Sequence, residues 1–261
     1  MMAMFRILRR HRDLLYMLSR RDITVKYKQS IMGFLWAILM PMLITSAGIV
    51  VKAAMAQMSG KSVHVTDVLP VAIKAAPWAF FVASLRFSTQ SLSGNYNLVT
   101  KIAFPRAVFP LSSVASQLFD FAVASAVLLV AFLFAPISPT IHLLWVPLLL
   151  GLLVMQVVGL ALLLSAANLF FRDVKYLVEV VLTFAVFFTP VFYSVDMFGD
   201  RAKVLLLNPI APILEGLEAT IVRGHAPDPL WTCYAAGWAL LLMIVTPAIF
   251  LRLEPKFAES V

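Results

Sequence analysis

From Phe121 to Phe171 the chain carries no Asp, Glu, Lys or Arg. As one helix that run would be about 75 Å long, against a bilayer hydrocarbon core of about 30 Å. It is too long for one span and too apolar for a soluble fold, so it reads as two spans with a turn between them. Pro136-Ile137-Ser138-Pro139-Thr140 supplies the turn, because its two prolines interrupt helical hydrogen bonding. The two spans are expected at 108–134 and 144–168.

The remaining spans follow by the same reasoning. Residues 31–51 are uncharged over a length that crosses once. A signal peptide is the competing reading, with Ala54-Met55-Ala56 resembling a cleavage site. The apolar run, however, exceeds the ~7–15 residues of a signal core, and a long segment precedes it, so a retained first span is expected. A second span, 68–94, carries Arg86, Ser88, Thr89, Gln90 and Ser91 in its second half. Polar groups at membrane depth need protein or water as partners, so this span is expected to line a cavity or pack inside the bundle. A fifth span is read at 176–195 and a sixth at 229–251, between Asp228 and Arg252. Composition agrees: 62% of residues are hydrophobic and 13% charged, against ~45–50% and ~25% in soluble domains. The fold class is an all-α membrane protein of six transmembrane helices, with 31–261 as the membrane domain and 1–30 as a separate segment. No length remains for a catalytic domain.

Basic residues set the orientation. Arg6, Arg9, Arg10, Arg12, Arg20, Arg21, Lys26 and Lys28 precede the first span, and Lys101, Arg106, Arg172, Lys175, Arg252 and Lys256 fall on the same side. The opposite side holds Lys52, Lys61, Lys74, Arg201, Lys203 and Arg223. Both termini are therefore expected in the cytoplasm. Trp78, Trp145 and Trp231 fall at outer span ends, where aromatic belts form. In segment 1–30, Ile7, Leu8, Leu14, Leu15, Leu18 and Val25 share one helical face with arginines between them. That is the pattern of an amphipathic helix on an anionic membrane surface, or of a simple topogenic signal. Between spans five and six, Asn208-Pro209-Ile210-Ala211-Pro212 splits two apolar stretches too short to cross, which read as re-entrant or interfacial helices on the outer side.

Much chemistry is excluded. There is no Gly-x-x-x-x-Gly-Lys-Ser/Thr loop, no Gly-x-Ser-x-Gly elbow and no His-Glu-x-x-His. His11, His64, His142 and His225 are scattered and Cys233 is the single cysteine, so neither a metal cluster nor a disulfide framework is expected. No catalytic residue is assigned. The charges at membrane depth are Arg86, Asp120 and Glu179. Arg86 and Asp120 lie at comparable depths on consecutive spans and invite pairing, as a bundling ion pair or as a substrate contact. Glu179 is expected to pair with Lys175 one turn away. Phe184, Phe187 and Phe188, followed by Tyr193, form a helical stripe that serves packing, lipid contact or stacking on sugar rings.

The segment RDITVKYKQSIMGFLWAILMP (21–41) resembles the opening of the membrane subunits of ABC-2-type exporters of polysaccharides and teichoic acids, O-antigen exporters included. PWAFF (77–81), NLVTKIAFPRAVFP (97–110), NLFFRDVKY (168–176), FFTPVFYS (187–194) and LNPIAPILEGLEATIVRG (207–224) follow in the family's order over nearly the whole chain.

The resemblance implies a homodimer in the bacterial cytoplasmic (inner) membrane, with a channel between the copies. It also implies two copies of a separate cytoplasmic ATPase, which would carry the ATP and magnesium; this chain itself needs no cofactor, and no nucleic acid is involved. The loop 97–110 resembles the helix that couples to that ATPase, with Lys101, Phe104, Pro105 and Arg106 as its candidate residues. Pro105 and Pro110 also serve as plain loop punctuation. The basic N-terminal helix resembles one beside the access point of a lipid-linked glycan, with Arg20, Arg21, Lys26 and Lys28 facing a polyprenyl pyrophosphate, whose oxygens suit guanidinium forks. Arg86, Asp120, Phe184, Phe187, Phe188 and Tyr193 would line the channel, and Asn208, Pro209, Pro212 and Glu215 an external gate. The expected function is export of an O-antigen-like or teichoic-acid-like polymer, a step of lipopolysaccharide or wall biosynthesis. Rival readings are an ABC-2 exporter of a drug, haem or small lipid, an ion-coupled secondary transporter using Asp120 and Glu179, and a membrane-bound transferase on lipid-linked sugar.

Overall fold

A computed structural model describes residues 9–28, 35–58, 68–96, 98, 104–133 and 140–258. Among the described residues the regular elements are all helical: α1 (Arg12–Lys28), α2 (Leu35–Met58), α3 (Val68–Gly94), α4 (Val108–Leu133), α5 (Trp145–Phe170), α6 (Val174–Ala185), α7 (Ala202–Leu206), α8 (Ala211–Ile221) and α9 (Pro229–Leu253). Short 3₁₀ turns occupy Ile141–Leu144, Val195–Arg201 and Glu254–Ala258. Residue chemistry sets several helix starts. Asp228 accepts hydrogen bonds from the backbone N–H groups of Leu230 (2.9 Å) and Trp231 (3.2 Å), and Pro229 opens α9. Pro212 sits in the first turn of α8, where its missing N–H costs nothing.

The polar second span, α3, is the centre of the bundle and packs on α2, α4, α5, α6 and α8. Its hydroxyls are buried by bonding to their own helix: Thr89 to the Leu85 carbonyl (2.6 Å) and Ser91 to that of Ser88 (2.6 Å). One apolar core joins Ile73, Phe80 and Leu85 of α3 to Leu149 and Leu153 of α5 and to Ile213 and Leu217 of α8. A second, at the opposite end, joins Leu18 of α1 to Leu92, Val108, Phe109, Leu169, Phe250 and Phe257. The N-terminal helix and the C-terminal turn therefore share one end of the molecule, here the α1 end, while α8 marks the other. Gly159 brings α5 against α9: a Cβ there would stand 2.7 Å from Leu242 Cβ, a close approach that only a small residue permits.

Among the described residues five helices are long and apolar enough to cross a membrane, so the expected count of six is not confirmed: Leu35–Ala54, Leu69–Gly94, Val108–Val130, Ile141–Phe170 and Pro229–Phe257. The expected fifth span, 176–195, is instead the 12-residue α6 followed by turns. Such a helix is about 18 Å long, short of the ~30 Å core. Pro190 explains the stop, because it lacks an N–H and disfavours helix in the residue before it. The last bonds, Phe187 to Phe184 (3.0 Å) and Phe188 to Ala185 (3.1 Å), are already of the tighter i to i−3 kind. The segment still links both ends of the bundle. Asn168, which also donates to Ser93 (3.1 Å), accepts from the Lys175 N–H (3.1 Å) at its start, and the Tyr193 carbonyl accepts from Lys74 (3.2 Å) at its finish.

Trp78 also departs from expectation. It is 3% exposed and stacks on Phe81 at 5.5 Å, so it belongs to the core and not to an interfacial belt. On α1, Leu14, Leu15 and Leu18 pack inward as the periodicity predicts, but Val25 is exposed; Ile7 and Leu8 lie outside the described residues.

Candidate functional site

A cleft of about 610 Å³ opens between α2, α3, α4 and α6. Trp36, Met40 and Ile44 of α2, Phe80 of α3, Phe121 of α4 and Leu182 of α6 make its walls apolar, and Lys26, Arg86 and Asp120 bring charge to the part nearer α1. An adjoining cavity of about 520 Å³ shares Lys26, Phe87 and Gln117 with it and is lined by Gln90, Ser91, Asn95, Ser113 and Ser116. An oily slot next to a chamber bordered by serine, asparagine and glutamine side chains, with Lys26 where they meet, suits an amphiphile with an anionic or sugar head.

The expected Arg86–Asp120 pair does not form. Arg86 pairs with Glu179 of α6 through two contacts (2.6 and 2.8 Å), which also displaces the expected Glu179–Lys175 pair. Both side chains are more than two-fifths exposed, so this bridge is worth little by itself. Asp120 instead takes the N-terminal helix: it accepts hydrogen bonds from Lys26 and from the Tyr27 hydroxyl. Burial and the neighbouring carboxylate push the Tyr27 phenol above its ordinary range, so it stays a neutral donor. Lys26 also reaches Gln117 (3.3 Å) and lies 5.6 Å from the centre of the Phe87 ring. Asp22 accepts from Ser112 (3.2 Å) and pairs with Arg21 (2.9 Å), which reaches Asn95 (3.2 Å). Of the four cations read as substrate contacts, Arg21 and Lys26 thus hold α1 on α3 and α4, while Arg20 and Lys28 are exposed.

The α8 end carries a buried ion cluster that sequence reasoning missed. Lys74 is 1% exposed and lies 2.8 Å from Glu215 and 2.5 Å from Glu218. Arg223 closes the chain, 2.8 Å from both Glu218 and Asp196. In the sequence, Lys74 was placed only among the basic residues of the outer side. The available signal was the spacing of Glu215 and Glu218, which puts both on one face of a helix. Burial raises the Glu215 carboxyl above its ordinary value, outweighing Lys74, and the Glu218 charge pushes the same way. Burial acts upward on Glu218 as well, but Lys74 and Arg223 together hold it below its ordinary value.

Linkage gives these shifts opposite signs. The Glu215 contribution is complete below the ordinary 4.5 and is lost as pH rises through its folded value. The Glu218 contribution is present above 4.5 and is lost as pH falls through its lowered value. Glu218→Gln is therefore expected to be less stable than the parent above pH 4.5, with the gap closing at lower pH. Glu215→Gln is expected to gain on the parent as pH rises above 4.5. Thermal unfolding in detergent across that range measures both, and variant curves parallel to the parent's would refute the assignment.

The gate candidates all belong to this end. Asn208 donates to Thr189 (2.9 Å) and accepts from the Ile210 N–H (3.2 Å), while the Pro209 carbonyl accepts from buried Gln156 (3.4 Å). Phe184, Phe187 and Phe188 are 58%, 64% and 68% exposed, which removes packing within the chain as their role. The Tyr193 hydroxyl donates to the Phe187 carbonyl (2.9 Å). At the α1 end, Phe104 packs on Phe109 (5.4 Å), Pro105 precedes α4, and Arg106 bonds to Glu254; Lys101 lies outside the described residues. Among the described residues no group of three His, Cys, Asp or Glu is placed to hold a metal ion.

Long apolar helices around a polar central one, with a cleft between them, define a multi-pass α-helical membrane protein whose charged groups join its helices. Residues 13–222 match the family described as ABC-2 type transporter, and the chain belongs to that family. It is accordingly a transporter component and not itself an enzyme. It is 27% identical over its whole length, and that of the relative, to the O-antigen export system permease protein RfbA of Myxococcus xanthus. Two proteins of the same description from Klebsiella pneumoniae are 29% and 28% identical, each over 95% of this chain and 94% of the relative.

Proposed function

We propose that this chain is the membrane subunit of an ATP-driven exporter that moves a lipid-linked, O-antigen-like polysaccharide across the bacterial cytoplasmic membrane. The cleft carries the proposal. Its apolar walls suit a polyprenyl chain, and Lys26 and Arg86 stand where the head would lie. Both cations are held by carboxylates, so an arriving pyrophosphate exchanges one anion for another and does not enter a bare cationic site. The chamber beside them, bordered by Gln90, Ser91, Asn95, Ser113 and Ser116, suits the first sugars. Exposed Arg20 and Lys28 attract anionic heads to the surface. Similarity over the full chain to O-antigen export permeases supports the same substrate class.

In this reading both termini face the cytoplasm, and ATP with magnesium resides on two copies of a partner ATPase. That partner docks on loop 97–110 through Lys101, Phe104, Pro105 and Arg106. A second copy of the chain meets the outward apolar face of α6, placing Phe184, Phe187 and Phe188 at the channel, and Asn208, Pro209, Pro212 and Glu215 belong to the external gate. ATP binding draws the ATPase subunits together and biases a two-state membrane part toward opening.

The test is ATP hydrolysis by the chain purified with its ATPase in nanodiscs, with and without an undecaprenyl-pyrophosphate-linked glycan. Hydrolysis is expected to rise with glycan, and Lys26→Met with Arg86→Met to weaken the glycan's half-saturation about tenfold, the scale of a lost charge-assisted contact. Indifference to glycan would remove the lipid-linked substrate and leave the family assignment standing. Failure to form a complex would remove the ATP-driven reading.

A further inference from the structure

Two helix ends at the α1 end cap each other. Glu254 closes α9, and its side-chain Oε1 accepts the backbone N–H of Arg106 (2.7 Å) just before α4 begins. In return the Arg106 guanidinium donates to the Glu254 carbonyl (2.5 Å). A carboxylate thus sits at the positive start of one helix and a cation at the negative finish of another, the favourable sense at both. The joint is also packed. Phe257, fully buried in the following turn, lies 5.2 Å from Phe250 and 5.7 Å from Phe170, while Phe104 packs on Phe109 of α4. The loop before α4, the end of α9 and the end of α5 form one unit.

This joint has mechanical reach. α9 runs along α5, held close at Gly159, and its first turn, with Asp228 and Trp231, borders the same cavity of about 200 Å³ as Glu215 and Arg223 of the buried ion cluster. A displacement of residues 104–107 therefore passes into α4 through the chain and into α9 through Glu254, and α9 carries it to the α8 end. We propose that Glu254 is a positioning residue that delivers ATPase-driven movement of this loop to α9, and so to the short helices at the far end. The proposal rests on docking of the ATPase at loop 97–110, as argued above.

The experiment compares Glu254→Ala, Glu254→Gln and Phe104→Ala in the full chain, co-expressed with its ATPase in a strain whose own copy is deleted. Three quantities are read: ATPase co-purified per membrane subunit, ATP hydrolysis of the purified complex, and surface polysaccharide at matched membrane levels. Glu254→Ala is expected to retain ATPase and hydrolysis while surface polymer per ATP hydrolysed falls about tenfold, the scale of one lost charge-assisted hydrogen bond. Glu254→Gln keeps an oxygen for the Arg106 N–H and is expected to recover most of the loss, which a merely structural lesion at this joint would not predict. Parental export per ATP in Glu254→Ala overturns the proposal. Loss of the ATPase from Glu254→Ala overturns it too, since Glu254 would then belong to the docking surface. Phe104→Ala with parental ATPase binding and export overturns the docking reading, and the joint's role with it. Lost binding in Phe104→Ala beside parental coupling in Glu254→Ala overturns the joint alone.

Discussion

Replacing Lys74 by methionine is expected to destabilise the protein by about 3–5 kcal/mol, the range for breaking a buried ion pair on one side. Lys74 is 1% exposed and stands between Glu215 and Glu218, the latter itself 3% exposed. Its loss leaves two carboxylates facing each other, with Arg223 reaching only one of them. The penalty is desolvation without compensation, so it should vanish when the anions go too. Lys74→Met combined with Glu215→Gln and Glu218→Gln is expected to recover most of the lost stability, because a neutral, well-packed replacement of a buried pair is often close to neutral. Thermal unfolding in detergent measures it; a chain of this size shifts its midpoint by about 2–4 °C per kcal/mol. A single variant within about 0.5 kcal/mol of the parent, as at an ordinary surface position, would mean that the cluster is solvated and does not hold α8 to α3.

Asp120→Ala is expected to release the N-terminal helix. Asp120 takes hydrogen bonds from both Lys26 and Tyr27, and hydrogen bonds to charged groups contribute about 1.5–3 kcal/mol each before solvent screening is discounted. Both partners of the ion pair are less than a third exposed, so the discount is partial. Leu14, Leu15 and Leu18 continue to hold the first half of α1. The expected result is local: faster amide exchange by about ten- to a hundredfold over residues 22–28, with little change near Leu18. Asp120→Asn keeps an oxygen for Tyr27 and should show a smaller effect. Equal exchange in parent and Asp120→Ala would show that apolar contact alone seats the helix. Lys26 lines the cleft, so releasing α1 also moves the cation proposed to meet the lipid head.

Four of the helical spans were legible as uncharged or weakly charged stretches with plain limits, such as Asp228 and Pro229 at the start of α9. The buried position of α3 was legible too, because Arg86 and a run of hydroxyls cannot face lipid. The helix expected over 176–195 stops short as α6, and the sequence held the sign of it: Pro190 was weighed as part of an apolar stretch instead of as a residue without an N–H. Trp78 was misplaced because an aromatic residue near a span end suits either a belt or a core, and only the neighbouring Phe81 and α5 decide which.

Charge partners were the larger gap. Arg86, Asp120 and Glu179 were all recognised as costly at depth, yet each pairs differently from the expectation. Depth along a span can be counted from its ends, but rotation about the helix axis cannot, and a turn of the helix decides whether Arg86 meets α4 or α6. Lys74 and Glu254 were unreadable for the same reason, since their partners lie 141 and 148 positions away in the chain. The sequence by itself determined that this is a multi-pass membrane protein, because the cost of placing charge and unpaired backbone in lipid acts on every residue locally, while the transporter family was carried by its resemblance over ordered motifs such as 21–41 and 97–110. The tertiary structure alone decided which charges meet, where the cleft opens and which helix ends cap one another. Those outcomes depend on helix rotation and side-chain reach, and both are settled only when the helices pack.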